Sequence, residues 1–342
     1  MKRSSPVHTV CFDVYSIQKK QGGVKRLIKA VAASPRKQPF RKYFRINWML
    51  YVMSIPGLIY VIGYKLLPLW GLQLAFKDFN IFLGRGILDS MAKSPWVGLK
   101  YFQEIFISSQ FGMLLRNTLM LSLMKLVILF PLPILVALML NEVQNKPFLR
   151  VTQTMVYLPH FLSWVVIHGI FVTMLSSTGM VNRLLNAMQL PSINAYTNPQ
   201  AFRWLLIFTE GWKETGWSSI VYLAALTGID PELYDAAYVD GAGHFKRILH
   251  VTLPGILPVV SLMLLLRVGN ILQAGSDQIL AMYNASVYST SDVLQTYIYR
   301  VSLGKLDFST GTALGIFESM VGFVMLVSCN AISRKTTGRS LW

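Results

Sequence analysis

Arg267, Asn270, Gln273 and Asp277 sit in and just beyond a strongly apolar stretch. Ionisable groups are costly in such a setting and mark function by default. Arg267, Asn270, Ala274 and Asp277 follow i, i+3, i+7, i+10, which predicts one face of a helix with Gln273 beside it. Guanidinium and amide groups offer directional hydrogen bonds to hydroxyls and carboxylates, bidentate ones included. A structural role, with Arg267 paired to a carboxylate on a neighbouring helix, fits the same residues. Trp212, Lys213 and Trp217 make a second cluster in which Lys213 and Trp217 are i, i+4 neighbours. Aromatic faces there can stack on sugar rings and Lys213 can meet an acid, although tryptophans also mark membrane interfaces. These seven residues are the candidate substrate pathway.

Other reactive groups are thinly spread. Lys125 and Glu318 read as partners in inter-helix ion pairs, and His160 and His168 as packing histidines rather than a metal site. Cys11 and Cys329 are too few and too far apart for a disulfide framework, so both are expected to be free thiols. No GxxxxGK[ST], GxSxG or HExxH occurs. A polytopic enzyme acting on lipid-linked sugars would need convergent acids. Asp78, Asp89, Glu104, Asp292 and Asp307 are scattered. A secondary transporter would show paired repeats or broken spans in corresponding positions, and the sequence offers none.

The elements that must position these groups are membrane spans. Of 342 residues, 53% are hydrophobic and 14% charged, against roughly a quarter charged in soluble domains. The bilayer core needs about 20 mostly apolar residues per helix. Six stretches are predicted: Trp48–Leu72, Leu115–Leu140, Val151–Leu175, Phe202–Thr227, Leu257–Gly275 and Gly311–Ile332. The net charge of +17 is concentrated before the first span and in short segments between spans, not striped along a polar surface. That pattern argues for topology and against nucleic-acid binding. Basic residues crowd before the first span and recur after the sixth as Arg334, Lys335 and Arg339, so both termini are expected to be cytoplasmic.

Residues 1–47 then form a basic cytoplasmic segment, 48–333 the six-span domain and 334–342 a cytoplasmic tail. The N-terminal segment does not have the form of a cleaved signal. Within it Val24–Ala33 is either a basic amphipathic helix on anionic lipid or part of a tail that only sets orientation. Phe76–Leu114, Ser176–Ala201 and Ser276–Thr310 are expected outside. The first of these is rich in turn formers and aromatics, which predicts an ordered loop.

The cytoplasmic loop Asp230–Pro258 is the most informative segment. Asp230 is a good N-cap, Pro231 suits the first helical position, and Glu232 suits the helix dipole. A helix is predicted to about Asp240, broken at Gly241. A second runs from Gly243, with Phe245, Ile248 and Leu249 on one side, to an end at Leu253-Pro254, and Pro258 opens the next span. Two short helices meeting at a glycine make a compact knob able to transmit force.

Asp235-Ala-Ala, Gly241 and Val251-x-Leu253-Pro254 resemble, in spacing throughout, the EAA loop of type I ABC importer permeases. Asp235 stands for the family's Glu and Val251 for its Ile. Pro56–Tyr60, Leu67-Pro68, Ala75–Asn80, Ser94–Leu99, Trp212–Trp217, Tyr222–Ala225 and Arg267–Asn270 resemble the carbohydrate permeases for aldouronates and other complex oligosaccharides. The resemblance implies an all-α integral membrane fold of six transmembrane helices with a coupling loop at 230–254. It makes Asp235, Ala236, Ala237, Asp240, Gly241, Phe245, Leu253 and Pro254 the surface that meets an ATPase. It also implies the partners: a second, homologous permease, an ABC ATPase dimer that binds ATP and Mg, and an extracytoplasmic solute-binding protein. The chain itself would hold no cofactor and would lie in a bacterial plasma membrane, importing an oligosaccharide or an acidic, uronate-containing fragment.

Overall fold

The computed structural model describes residues 40–337. The candidate helix Val24–Ala33, Cys11 and Arg339 lie outside the described residues. The chain forms two compact units that meet in sequence after Trp70. The first unit contains α1 (Phe40–Tyr60), followed by a π-helical turn over Val61–Leu66.

The second unit is built from α2 (Ser109–Asn141), α3 (Lys146–Tyr157), α4 (Trp164–Leu175), α5 (Pro199–Thr227), α6 (Pro231–Val239), α7 (His244–Gly269), α8 (Ser276–Met282) and α9 (Phe308–Thr337). There is no strand among the described residues; one isolated bridge joins Lys77 and Trp96. Among the described residues, five helices are long and apolar enough to cross a membrane: Ile46–Phe76, Ser109–Asn141, Trp164–Ala187, His244–Gly269 and Phe308–Lys335. Helix α5 has 29 residues, ample to cross, but carries Arg203, Glu210, Lys213 and Glu214. It is the central helix, packed along the second half of α2 and against α3 and α7. Glu210, Lys213 and Glu214 are met by partners within the protein, the condition under which charges are tolerated in a span.

Local chemistry sets the helix ends. Asn198 caps α5 by accepting from the N–H groups of Gln200 and Ala201, and Pro199 takes the first position. Ser163 caps α4 in the same way, accepting from Val166.

Two expectations need correction. The predicted span Val151–Leu175 is not one helix: α3 passes into a tight turn over Leu158–Phe161, the backbone is extended at Leu162, and α4 starts afresh. Pro159 lacks an N–H and Ser163 supplies a new cap, so local chemistry outweighs apolar continuity. Conversely, Leu253-Pro254 does not end a helix. The short helix His244–Arg247 runs through a π-helical turn, Ile248–Thr252, directly into Leu253–Gly269. A π turn changes the hydrogen-bond register just ahead of Pro254, where the absent N–H would interrupt an α ladder. The segment Ser276–Thr310, expected outside, packs into the helical core. Ile279, Met282, Val287 and Val293 are buried in the same core as Leu121, Phe202 and Leu206.

The segment Phe76–Leu114 is ordered as expected. Tyr101 donates to Asp78 at 2.7 Å and the buried Lys77 donates to the Met91 carbonyl at 2.7 Å. Ser309 at the start of α9 accepts from the Phe79 N–H and donates to the Lys77 carbonyl.

Helices α3 and α5 touch at Gly216, where any Cβ would overlap the Val156 carbonyl. Gly216→Val is expected to cost about 1–3 kcal/mol, as overpacking does. A lower thermal midpoint of the detergent-purified protein checks this, and an unchanged midpoint would mean that the two helices part freely.

Candidate functional site

The site is organised by one acid. Glu210, midway along α5, is almost fully buried and faces both α2 and α7. Its Oε1 accepts from Arg267 Nη2 at 2.7 Å, and its Oε2 lies 2.7 Å from Lys125 Nζ. Lys125 also donates to the Ala274 carbonyl and to Gln278 Oε1, each at 2.8 Å. Gln278 in turn donates to the Leu206 carbonyl and to Thr209 Oγ1. Taking charges out of water is costly unless each is paired and its remaining donors are satisfied, and Lys125 meets both conditions.

The backbone bends to make this possible. Helix α7 stops at Gly269, and the Asn270 side-chain amide donates to the Leu266 carbonyl at its end. A single tight turn over Ile271–Gln273 leads to Ala274 and Gly275, both with positive φ, before α8 begins. Gly275 is needed twice over: for its φ of +73°, and because a Cβ would come within 2.5 Å of Lys125 Nζ.

This corrects the expectation that Arg267, Asn270, Ala274 and Asp277 share one helical face. No helix carries all four. They meet nonetheless, because the bend folds Asn270, Gln273 and Asp277 around the same cleft as Arg267. The cleft is about 470 Å³, and Lys125, Glu210, Glu214, Trp164 and Gln278 also line it. Arg267 is the accessible cation, its side chain 40% exposed against 4% for Lys125.

Trp212, Lys213 and Trp217 do not join this cleft. The Lys213 ammonium bonds to the His160 carbonyl in the break before α4, 3.4 Å from Glu214 and over the Trp164 ring. The broken third span leaves a carbonyl without a helical donor, and Lys213 satisfies it. Trp217 stacks face to face on His160 at 4.4 Å, and His160 Nδ1 lies 2.8 Å from Glu214. Trp212 sets its edge against Phe171.

Of the remaining expectations, Lys125 does form an inter-helix ion pair. Glu318 does not: both its oxygens accept from the Gln295 amide at 2.9 Å. His160 and His168 are packing histidines, the latter edge-on to Tyr196. Glu210 was the residue not singled out. Its only signal was the run Glu210, Lys213, Glu214 at helical spacing, and no local pattern identifies which distant cations it meets.

The loop between α5 and α7 presents a second surface. Asp230 accepts from the Glu232 N–H at 3.0 Å, and α6 ends at Asp240 and Gly241, whose φ is +73°. Asp235, Ala236, Asp240, Gly241, Phe245 and Pro254 are exposed, and Ala237 and Leu253 half-buried. Tyr238, Val239 and Phe245 expose more than two-thirds of their surface each. The knob is braced from behind. Tyr234 bonds to Thr252 at 3.1 Å, and His244 lies 3.6 Å from Glu142 at the end of α2.

The family described as "Binding-protein-dependent transport system inner membrane component" matches residues 129–337. Protein LplB of Bacillus subtilis (strain 168) is 40% identical over 299 residues, covering 85% of this chain and 92% of that one. The polygalacturonan/rhamnogalacturonan transport system permease protein YteP of the same organism is 40% identical, covering 84% and 88%. Among solved structures, a chain of a bacterial ABC transporter involved in the import of the acidic polysaccharide alginate superposes with a TM-score of 0.80. It is 40% identical, with 88% of this chain and all of that chain covered. A second structure of the bacterial alginate transporter, in complex with an alginate pentasaccharide-bound periplasmic protein, matches at a TM-score of 0.80 and 39% identity, covering 89% and 100%.

Lys125→Met should leave Glu210 with a single, exposed partner and destabilise the protein by about 3–5 kcal/mol, as breaking a buried pair does. Adding Glu210→Gln should restore part of that loss in thermal unfolding in detergent. Strictly additive losses would show that the two residues act independently.

Proposed function

The chain belongs to the binding-protein-dependent transport system inner membrane components, and on that premise we propose that it is a permease subunit of an ATP-driven importer of acidic oligosaccharides. The observation that carries the proposal is the continuity of α7. One rod of 26 residues, about 39 Å at 1.5 Å per residue, begins at the exposed knob and ends at Arg267 and the cleft. A load applied at Phe245 reaches the cleft without crossing a flexible joint, which is what rigid-body gating by a distant partner requires.

The partner at the knob is a separate ATPase that binds ATP and Mg, since this sequence contains no GxxxxGK[ST] loop. Asp235, Ala236, Ala237, Asp240, Gly241 and Phe245 face that partner: small and exposed residues on α6 admit close approach, and Phe245 and Val239 supply apolar anchors. Leu253 and Pro254 lie at the root of the knob. On this reading the loop is cytoplasmic, and the basic residues flanking the first and last spans favour the same side for both termini. A second permease completes the pathway, and a periplasmic or surface solute-binding protein delivers the cargo. Relatives named for polygalacturonan, rhamnogalacturonan and alginate transport support an acidic saccharide, and the accessible Arg267 guanidinium suits a carboxylate.

Gly241 has open space around it, so a larger residue harms through φ and the docking surface alone. Gly241→Val should add about 1–3 kcal/mol of local backbone strain. In proteoliposomes with the complete transporter, ATP hydrolysis is expected to continue while oligosaccharide import is largely lost. Full coupled import by that variant would overturn the role given to the knob.

A further inference from the structure

Lys125, Glu210 and Arg267 hold two cations to one acid, and the two cations are not equivalent. Lys125 is buried and saturated: its ammonium contacts Glu210, the Ala274 carbonyl and Gln278. Arg267 gives Glu210 a single Nη2–H, one of the five donors a guanidinium owns, and it is 40% exposed in the cleft. Removing Arg267 from Glu210 would not strand the acid, because Lys125 would still neutralise it. Buried charges that remain paired in both arrangements can exchange partners without the large penalty of an orphaned ion.

We propose that Glu210 is a placeholder carboxylate, and that Arg267 exchanges it for the carboxylate of a uronate residue as the saccharide enters the cleft. This rests on the reading of the protein as an importer of acidic oligosaccharides, and it assigns the selectivity within the membrane to one exchange. A guanidinium fork takes a carboxylate bidentately, whereas Glu210 now offers Arg267 only one oxygen, the other being held by Lys125. The incoming acid therefore gains a hydrogen bond that Glu210 does not supply. A neutral sugar cannot replace Glu210 and leaves the Arg267–Glu210 pair closed. Asp277 also lines the cleft, exposed and with no ion pair among the described residues. It bars a carboxylate from its own side and directs it to Arg267. Because Arg267 is two residues from the end of α7, movement of that rod moves the fork relative to Glu210, so capture and release follow the same motion that gates the cleft.

The test uses the assembled transporter and two probes: a galacturonate trimer and the same trimer with its carboxylates reduced to alcohols. Uptake of the galacturonate trimer into proteoliposomes, with the binding protein present, checks the importer reading by itself. Binding of both probes to the detergent-solubilised transporter without binding protein, followed by saturation-transfer NMR, checks the exchange. The wild type should prefer the acidic trimer by about tenfold or more, the worth of a charge-assisted hydrogen bond. Arg267→Gln should bring that preference close to one. Arg267→Lys keeps a cation beside Glu210, and so guards against misfolding, but lacks the fork; its preference should fall between. An unaltered preference in Arg267→Gln, equal loss of both probes, or no preference in the wild type overturns the exchange while leaving the importer reading intact. Failure of the wild type to import the acidic trimer overturns the importer reading instead.

Discussion

The structure depends on how α5 carries charge through an apolar assembly. Glu210 cannot be left alone at that depth, and its two partners come from α2 and α7. Those contacts tie three spans together, bring Gln278 of α8 into the network, and oblige Gly275 to leave room for the Lys125 ammonium. The bend after α7 follows from this. The backbone of Ala274 turns its carbonyl to Lys125, and the positive φ angles at Ala274 and Gly275 are the conformations that permit it. Polar groups satisfied this fully make the wall of a cleft rigid.

The same economy explains the break in the third span. Interrupting a helix exposes carbonyls that must find donors. Lys213 reaches across from α5 to the His160 carbonyl, and Glu214 and Trp217 hold the His160 ring. The cation and aromatics of α5 are thus spent on repairing the backbone of a neighbour, while one turn earlier on the same helix Glu210 addresses the cleft. Nothing in residue type separates those two uses; which neighbouring element each group meets does.

Function divides along α7. One end is an apolar, small-residue surface whose members, Tyr238, Val239 and Phe245, are too exposed to serve this chain's own core. The other is the Arg267 cleft. A π turn lets a proline-bearing segment remain a single rod between them, so the exposed loop and the polar cleft are two ends of one element. Three of the scattered acids have partners within the fold: Asp78 accepts from Tyr101, Asp89 from Lys93, and Asp292 from Arg300.

Much was legible in the sequence because it is local. Apolar runs of spanning length need no tertiary context, and neither does a loop whose cap, first-turn proline and breaking glycine lie within a dozen residues of one another. The Asp235-Ala-Ala to Leu253-Pro254 spacing therefore located the knob and the family. Arg267 was visible as a lone cation in an apolar stretch. What tertiary structure decided is pairing: Glu210 with Lys125 and Arg267, partners 85 and 57 residues away along the chain, and Lys213 with the His160 carbonyl. Helical periodicity placed Asn270 and Asp277 beside Arg267 by a geometry the chain does not adopt, and a bend brought them there instead. Local pattern fixes which groups are costly to bury; only the packed arrangement of helices determines which opposite charge, and which orphaned backbone group, relieves that cost.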